Sequence, residues 1–470
     1  MTNSTMIRCL WIGLLLTATS TLSGKTMDAA MGPLRISAEN PRYFARPDGK
    51  AVLLTGSHTW SVLQNMGRED PPHAFNFDSY LNWMRKYNHN FIRGWRFEFN
   101  RMEPDAQPYT FWVSPQPWIR SGPDLASDGK PTYNLKSFDP VYFKMLRSRL
   151  LAAKKRGIYM SVMFFCGWGT SMELIGWKSH PFNAANNING INGDPNGNGL
   201  GGETHTLAIP EVTRIQEAYI RKVIDAVNDL DNVLYEVANE TPAVIESHSS
   251  TEWQYHIIRF IKEYEKRKPK QHPVGMTYQY SSRYMNPALF ASPADWISPN
   301  PDGGYKDNPP ASDGKKVIIN DTDHLWGIGG NYRWVWMSFM RGMNPIFMDP
   351  YDGVVIEKAF DPQWEPIRRN MGYVLRYSKR VDMNRMTPHS ELASSGLCLA
   401  DPGREYIVYL PDGKPVTLDL SSLQGSTSVE WFNPETGKTR YGASVPGGGK
   451  NTFQSPFGKT DAVLFLKLVR

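Results

Sequence analysis

Cysteine is scarce in this chain, with three among 470 residues, and one of them, Cys9, sits near the N-terminus. The other two, Cys166 and Cys398, are too few for a disulfide framework or a thiolate zinc site, so buried free thiols are the expectation. No apolar stretch approaches the roughly 20 residues that a membrane-spanning helix needs. Charge of one sign is also missing. Fifty-two Lys and Arg against 46 Asp and Glu give a net +6, spread along the chain without a basic block, which argues against nucleic acid or an anionic membrane as partner. No glycine-rich phosphate loop follows the first apolar strand, and neither a GxSxG turn nor an HExxH helix is present. Nucleotide enzymes, serine hydrolases and zincins therefore rank low, and no cofactor is expected.

What is present is the composition of an ordinary folded protein: 40% hydrophobic, 21% charged, mean hydropathy −0.46. At about 150 residues per domain, the length predicts one large domain plus a smaller one. Aromatic residues reach 12%, and many fall beside predicted strand ends, where flat faces suit partly apolar ligands such as sugars. The first 24 residues carry one charge, Arg8, then an apolar run from Cys9 to Leu16 and small polar residues to Gly24. This is the layout of a signal peptide, which predicts export, secreted or periplasmic, with a mature charge of +5.

Beyond the leader, residues 33–56 read as a short hairpin, turning at Asp48-Gly49 and running into an apolar strand at 52–56. Eight largely apolar strands are then predicted, over 52–58, 90–98, 158–165, 232–239, 274–280, 295–300, 316–324 and 344–350. Helical periods lie between them, at Phe77, Leu81 and Met84, at Ile215, Tyr219, Val223 and Val227, and at Trp253, Ile257, Phe260, Ile261 and Tyr264. Asp361-Pro362 has the form of an N-cap with a proline at the first helical position, opening a helix that runs to about Ser378. Strands buried on both faces need helices packed outside them, so the fold class predicted is α/β, a (β/α)₈ TIM barrel. The short, helix-poor connection 281–294 is its weak point, and a doubly wound open sheet is the alternative. From about residue 385, short strand runs with turn signals every ~8–12 residues predict a small antiparallel β-sandwich. The expected division is thus leader 1–24, barrel 25–384 and sandwich 385–470. Residues 183–205 form a long Asn/Gly-rich loop. Asp194, Asn196 and Asn198 alternate there as calcium ligands would, but no glutamate follows at the EF-hand spacing, so a solvated loop bordering the substrate is preferred and no metal ligand set is predicted.

Barrel strand ends build the functional face. The fourth strand ends in Asn239-Glu240 and the seventh in Asp321, Asp323 and His324. Carboxylates on these two strands face one another across a barrel mouth. Such a pair suits glycosidic bond cleavage, in which one carboxyl must be protonated and the other ionised. A separation of ~5–5.5 Å implies retention and ~6.5–9.5 Å inversion.

The run NVLYEVANE at 232–240 resembles the fourth-strand signature of glycoside hydrolase clan A. RISAENPRYFARPDGKAVLLTGSHTW and the C-terminal sandwich resemble cellulase-like family 5 and apiosidase-type family 140 relatives, whose terminal module is often labelled collagen-binding. The resemblance implies Glu240 as acid/base, Asn239 as hydrogen-bond partner of the neighbouring sugar hydroxyl, and Arg93 as the clan's barrel arginine, with Glu236 its buried partner. The clan's seventh strand carries a glutamate nucleophile, and VIINDTDHLWG has none. Asp323 is favoured as its replacement, with Asp321 second; a shorter acid also leaves inversion open. Supporting candidates for substrate binding are His58, Trp60, Trp95, Glu98, Trp168, Tyr278, His324, Trp326 and Asp349. The function expected is a secreted glycoside hydrolase with a carbohydrate substrate. A carbohydrate-binding protein that has lost catalysis, and a matrix-binding protein working through its sandwich, are the alternatives.

Overall fold

The structure, a computed structural model, describes residues 32–103, 110–170, 176–280, 286–355 and 359–469. The leader predicted at 1–24 lies outside the described residues.

Eight parallel strands form one sheet: β1 (Gly56–His58), β2 (Phe91–Gly94), β3 (Tyr159–Cys166), β4 (Val233–Asn239), β5 (Val274–Thr277), β6 (Trp296–Ser298), β7 (Val317–Asp321) and β8 (Asn344–Met348). Their order, β1-β8-β7-β6-β5-β4-β3-β2, is that of a barrel opened between β1 and β2. That seam is closed just below the strands, where Asn90 N donates to Thr55 O (3.0 Å) and Thr55 N donates to Asn90 Oδ1 (2.9 Å). Every residue of these strands is buried, which is why they read as continuous apolar runs rather than alternating ones.

Helices α1 (Phe77–Lys86), α2 (Pro140–Lys154), α3 (Pro210–Val227), α4 (Ser250–Glu265) and α5 (Asn286–Ala291) follow β1 to β5 in turn; among the described residues none separates β6 from β7, α6 (Asp323–Trp326) and α7 (Tyr332–Met340) both follow β7, and α8 (Glu365–Ser378) follows β8. The connection that looked helix-poor holds α5. The seventh strand is shorter than expected: it stops at Asp321, and Asp323 and His324 belong to α6.

The N-terminal segment is a three-stranded sheet that plugs the barrel floor. Its Leu34 and Phe44 share a cluster with Phe91, Tyr159, Leu234, Trp296, Val317, Ile319 and Ile346, most of them at or near the first residue of a barrel strand. Within that layer the Trp296 indole lies on Gly275, where a Cβ would come within 1.9 Å of the ring. At the opposite end, residues 98–139 contribute strands the sequence reading did not anticipate. Arg101–Met102 and Asn65–Gly67 both pair with Phe111–Ser114, and Trp118–Leu125 forms a hairpin with Pro131–Phe138.

The C-terminal sandwich is present as predicted, with strands β9 (Thr387–Pro388), β10 (Cys398–Asp401), β11 (Glu405–Leu410), β12 (Val416–Asp419), β13 (Ser426–Phe432), β14 (Thr439–Pro446), β15 (Lys450–Phe453) and β16 (Ala462–Leu468). A six-stranded antiparallel sheet, β9-β10-β11-β16-β13-β14, faces the β12-β15 pair. The large sheet packs on α7 and α8. Trp336 stacks on Tyr409 (6.1 Å, 6°), and Tyr373 meets Phe432 edge-on (4.9 Å). Arg380 donates to both Glu430 oxygens at 2.7 Å, and Tyr377 donates to Glu430 Oε1 at 2.7 Å. Cys166 and Cys398 are both buried free thiols.

Candidate active site

The strand ends place one buried cation among several carboxylates. Arg93, on β2, is 1% exposed, and its guanidinium fork is fully engaged. Nε donates to Glu236 Oε2 (2.9 Å) and Nη2 to Glu236 Oε1 (2.7 Å). Nη1 donates to Asp323 Oδ2 (2.7 Å) and to Asp321 Oδ2 (3.2 Å), and Nη2 also reaches Asn239 Oδ1. The expected pairing of the buried Glu236 carboxylate with Arg93 is therefore present. Three carboxylates press on a single guanidinium, so the cluster carries excess negative potential that favours protonation of the least compensated acids.

Asp321 is the best compensated. Its Oδ1 accepts from His58 Nε2 (2.9 Å) and from the Asp323 backbone N–H (3.0 Å), while Oδ2 accepts from Arg93. Burial pushes its carboxyl up, but His58 and Arg93 outweigh that and hold it well below the usual carboxylate range. His58 is itself fixed by Trp95, whose indole N–H donates to His58 Nδ1 (2.8 Å). An indole can only donate, so Nδ1 carries no proton and Nε2–H points at Asp321.

Asp323 and Glu240 behave differently. Burial, with the neighbouring Asp321 charge, lifts the Asp323 carboxyl to about 6 against the pull of Arg93. Glu240 is half-buried at the end of β4. Burial and then the Asp323 charge hold its carboxyl well above the ordinary value. Its backbone is left-handed, with φ +47°. For a residue with a Cβ this costs about 1 kcal/mol, and it ends the strand's alternation. Consecutive side chains then meet, with Asn239 Nδ2 donating to Glu240 Oε2 (3.4 Å).

Glu240, Asp323 and His324 each offer a ligating atom, all within 4.8 Å of one another. This trio could be imagined around a metal ion, but its chemistry fits proton transfer better. Both ring nitrogens of His324 are engaged, Nδ1 with Ser298 Oγ (2.7 Å) and Nε2 with Asn239 Oδ1 (3.2 Å). Burial, aided by Arg93, drives the His324 pKa well down, keeping the ring neutral. A metal at Asp323 would also sit beside the Arg93 guanidinium. What the arrangement offers is one carboxyl held toward its protonated form next to one that titrates at about 6.

An aromatic wall flanks the cluster. Arg93 lies over Trp95 (4.8 Å), and Trp60 contacts both Trp95 (6.0 Å) and the half-buried Trp168 (5.1 Å). Tyr278 sits over His324 (5.8 Å) from the other side, with its hydroxyl pKa pushed to about 12 by burial and by Glu240.

Two predicted residues are not in this constellation. Asp349, at the end of β8, is fully buried and receives Arg368 Nε and Nη2 at 2.8 Å each, an ion pair that ties β8 to α8. Trp326 packs edge-on against Trp334 (5.6 Å) beneath Lys306, because its place in α6 turns it toward α7. Strand-end position marked both, yet position alone does not say which way a side chain points.

Two residues went unread. His180 and His205 bracket the Asn/Gly-rich stretch, and both converge on Glu98. His205 Nε2 lies 2.8 Å from Glu98 Oε1 and His180 Nε2 lies 3.4 Å from Oε2, while Cys166 N donates to Glu98 Oε1 (3.0 Å). Burial acts to raise the Glu98 carboxyl, but the two imidazoles hold it well below its ordinary value. The loop is thereby anchored at both ends beside the barrel mouth. Histidines flanking a long loop near a strand-end Glu were the available signal.

Comparison with solved structures shows the same architecture in glycoside hydrolases. One protein titled a glycoside hydrolase matches with a TM-score of 0.58 at 15% identity, covering 93% of this chain and 97% of its own. A glycoside hydrolase family 5 protein from Bacteroides vulgatus ATCC 8482 matches with a TM-score of 0.58 at 14% identity, covering 93% and 94%. At these identities the likeness is one of fold. Residues 391–467 match the family described as "Putative collagen-binding domain of a collagenase". No curated protein sequence matches the chain.

Proposed function

We propose that this protein is an exported glycoside hydrolase that cleaves O-glycosidic bonds in a polysaccharide or oligosaccharide with retention of configuration, with Glu240 as acid/base and Asp323 as nucleophile. The observation that carries the reading is the pair itself. One carboxylate oxygen of Glu240 and one of Asp323 lie within 4.8 Å of each other, an approach that suits the closer-set carboxyl pair of a retaining site (~5–5.5 Å between groups) better than the ~6.5–9.5 Å that seats an inverting water. The two carboxyls are also shifted in the way that such chemistry needs. Glu240 is held well above its ordinary value, and Asp323, at about 6, is ionised at neutral pH.

In the first step Glu240 gives its proton to the glycosidic oxygen, the bond to the leaving sugar breaks, and Asp323 bonds to the anomeric carbon. Arg93 fixes Asp323 Oδ2, leaving Oδ1 as the attacking oxygen. In the second, Glu240 takes a proton from water, the hydroxide attacks the anomeric carbon, and the Asp323 carboxylate leaves. Asp321 acts as a positioning residue, since its two oxygens are already bound to His58, the Asp323 backbone and Arg93. Asn239, His58, Tyr278, His324 and the Trp60, Trp95 and Trp168 wall would orient the sugar. In this reading residues 1–24 direct export, 25–384 are the catalytic domain, and 385–470 buttress it from behind α7 and α8.

The test is release of reducing ends from a broad panel of plant and bacterial glycans, comparing wild type with folded Glu240→Gln, followed by NMR of the first anomer formed. Activity that largely disappears in the variant, with a product of retained configuration, is expected. Equal activity in both removes Glu240 from the chemistry, and inverted product removes Asp323 as nucleophile. Glycan binding without cleavage in either protein would turn the reading to a carbohydrate-binding barrel.

A further inference from the structure

The loop between β3 and α3 contains Asp194-Pro195-Asn196-Gly197-Asn198-Gly199, the oxygen-ligand spacing of a calcium loop with glycine at its sixth position. Its conformation follows that spacing. The Gly199 N–H donates to Asp194 Oδ2 (2.9 Å), while Asn196 Oδ1 and Asn198 Oδ1 accept from the N–H groups of Asn198 and Leu200 (2.8 Å each). The amide nitrogens of Asn196 and Asn198 reach Glu246 Oε1 at 3.3 and 3.4 Å. Their orientation leaves both carbonyl oxygens turned toward the loop.

Two carboxylate oxygens here lack the donors that burial demands. Asp194 Oδ1 is buried with no hydrogen-bond partner, and so is Glu203 Oε2, on a residue only 3% exposed. A buried anion oxygen without a donor is costly unless a cation meets it. The loop closes on itself, for a Cβ on Gly193 would come within 2.5 Å of Thr204 Cγ2. Asp194 and Glu203 therefore lie at the two ends of one closed turn. Glu203 stands two positions before the place of the EF-hand glutamate, which His205 occupies with its Nε2 2.8 Å from Glu98 Oε1.

We propose that residues 194–203 bind one calcium ion, with the Asp194 and Glu203 carboxylates as anionic ligands and Asn196, Asn198 and the Leu200 carbonyl as neutral ones. Hard oxygen donors with several neutral carbonyls suit calcium, and only two charged ligands place the affinity in the weak class, with Kd on the order of 10⁻⁴–10⁻³ M. Because Glu246 ties this loop to the segment after β4, and His205 ties it to Glu98, the ion would stiffen the loop where it borders Glu240. The proposal does not depend on the reaction assigned to that residue.

The full chain, stripped with EDTA, is titrated with calcium while its Tm is followed, and with Tb³⁺ while emission sensitised through Trp177, whose ring lies on Gly201, is recorded. A Tm that rises with calcium and one Tb³⁺ per chain, displaced by calcium, are expected. Asp194→Asn, Glu203→Gln and the exposed Asn196→Ala should each weaken binding about tenfold or more, with Tm in EDTA as the check that each variant folds. Absence of both signals in wild type overturns the proposal. So does binding that survives all three substitutions, or binding lost in Glu240→Gln instead, which would place the ion in the cleft.

Discussion

Replacing Asp321 with Asn tests the electrostatic reasoning most directly. The substitution keeps the side-chain shape but deletes one negative charge from the Arg93 cluster. Arg93 Nη1 lies 3.2 Å from Asp321 Oδ2 and 2.7 Å from Asp323 Oδ2, which sets the two oxygens on the order of 5 Å apart. At an effective dielectric of about 20, two unit charges at that distance repel by roughly 3 kcal/mol, or about 2 pKa units as an upper limit. Asp321 raises the Asp323 carboxyl, which stands at about 6. Deleting the charge makes ionised Asp323 easier to form and also frees Arg93 to act on it, so both effects lower its pKa. The assay is the pH dependence of kcat/KM on whichever glycan the screen identifies, using protein shown to be folded at each pH. The acid limb in wild type is expected near 6, and in Asp321→Asn it should move down by about 1–2 units. An acid limb that stays in place or moves upward would refute both the repulsion between these carboxylates and the assignment of Asp323 to that limb.

Three further outcomes follow from the same contacts. Arg93→Met leaves Glu236 and Asp321 buried without their cation and should cost about 3–5 kcal/mol in chemical denaturation; a loss under 1 kcal/mol would mean that the cluster is compensated elsewhere. Asp323→Asn should stabilise the fold at pH 7. A folded pKa of about 6 against an ordinary 3.8 means the native state binds more protons than the unfolded chain. The wild type therefore loses stability as pH rises from about 4 to 6, on the order of 1–3 kcal/mol, and a thermal melt series showing no such difference between the two proteins would contradict the shift. Trp336→Ala, at the seam between α7 and the sandwich, should cost about 3–5 kcal/mol, and calorimetry should then show the sandwich melting apart from the barrel.

Much of the barrel was readable because burial on both faces leaves a simple trace. Each of the eight strands appears as an apolar run within a few residues of its place, and the C-terminal strands carry turn signals between them. The elements that escaped have physical reasons. Helix α7, YRWVWMSFM, is apolar nearly all round since it is covered by barrel and sandwich together, so no amphipathic period exists to be seen. The hairpin of Trp118–Leu125 with Pro131–Phe138 has register shifts between Pro131 and Tyr133 and between Asn134 and Phe138, which break the alternation that marks a strand. Helix α2 was missed although Asp139-Pro140 opens it with the same cap that announced α8; the Asp139 side chain accepts from Val141 N. In the candidate site, the pairing of Arg93 with Glu236 followed from the resemblance that marked Arg93 and from the need of a buried carboxylate for a cation. Asp321 and Asp323 could not be separated, because their difference lies in His58, a strand-one residue brought to them only by barrel closure. The ion pair of Asp349 was out of sight for the same reason, its partner Arg368 being contributed by a distant helix.

The chain from Trp95 through His58 to Asp321 runs in one direction only. The indole can give a hydrogen bond and cannot take one, so the imidazole is locked as a receiver on one side and a giver on the other, ending on an anion. Such a chain has no slack along which a proton could travel inward or outward. Protonic traffic in this cleft is thereby confined to Glu240 and Asp323, and His58 serves as insulation rather than as wire.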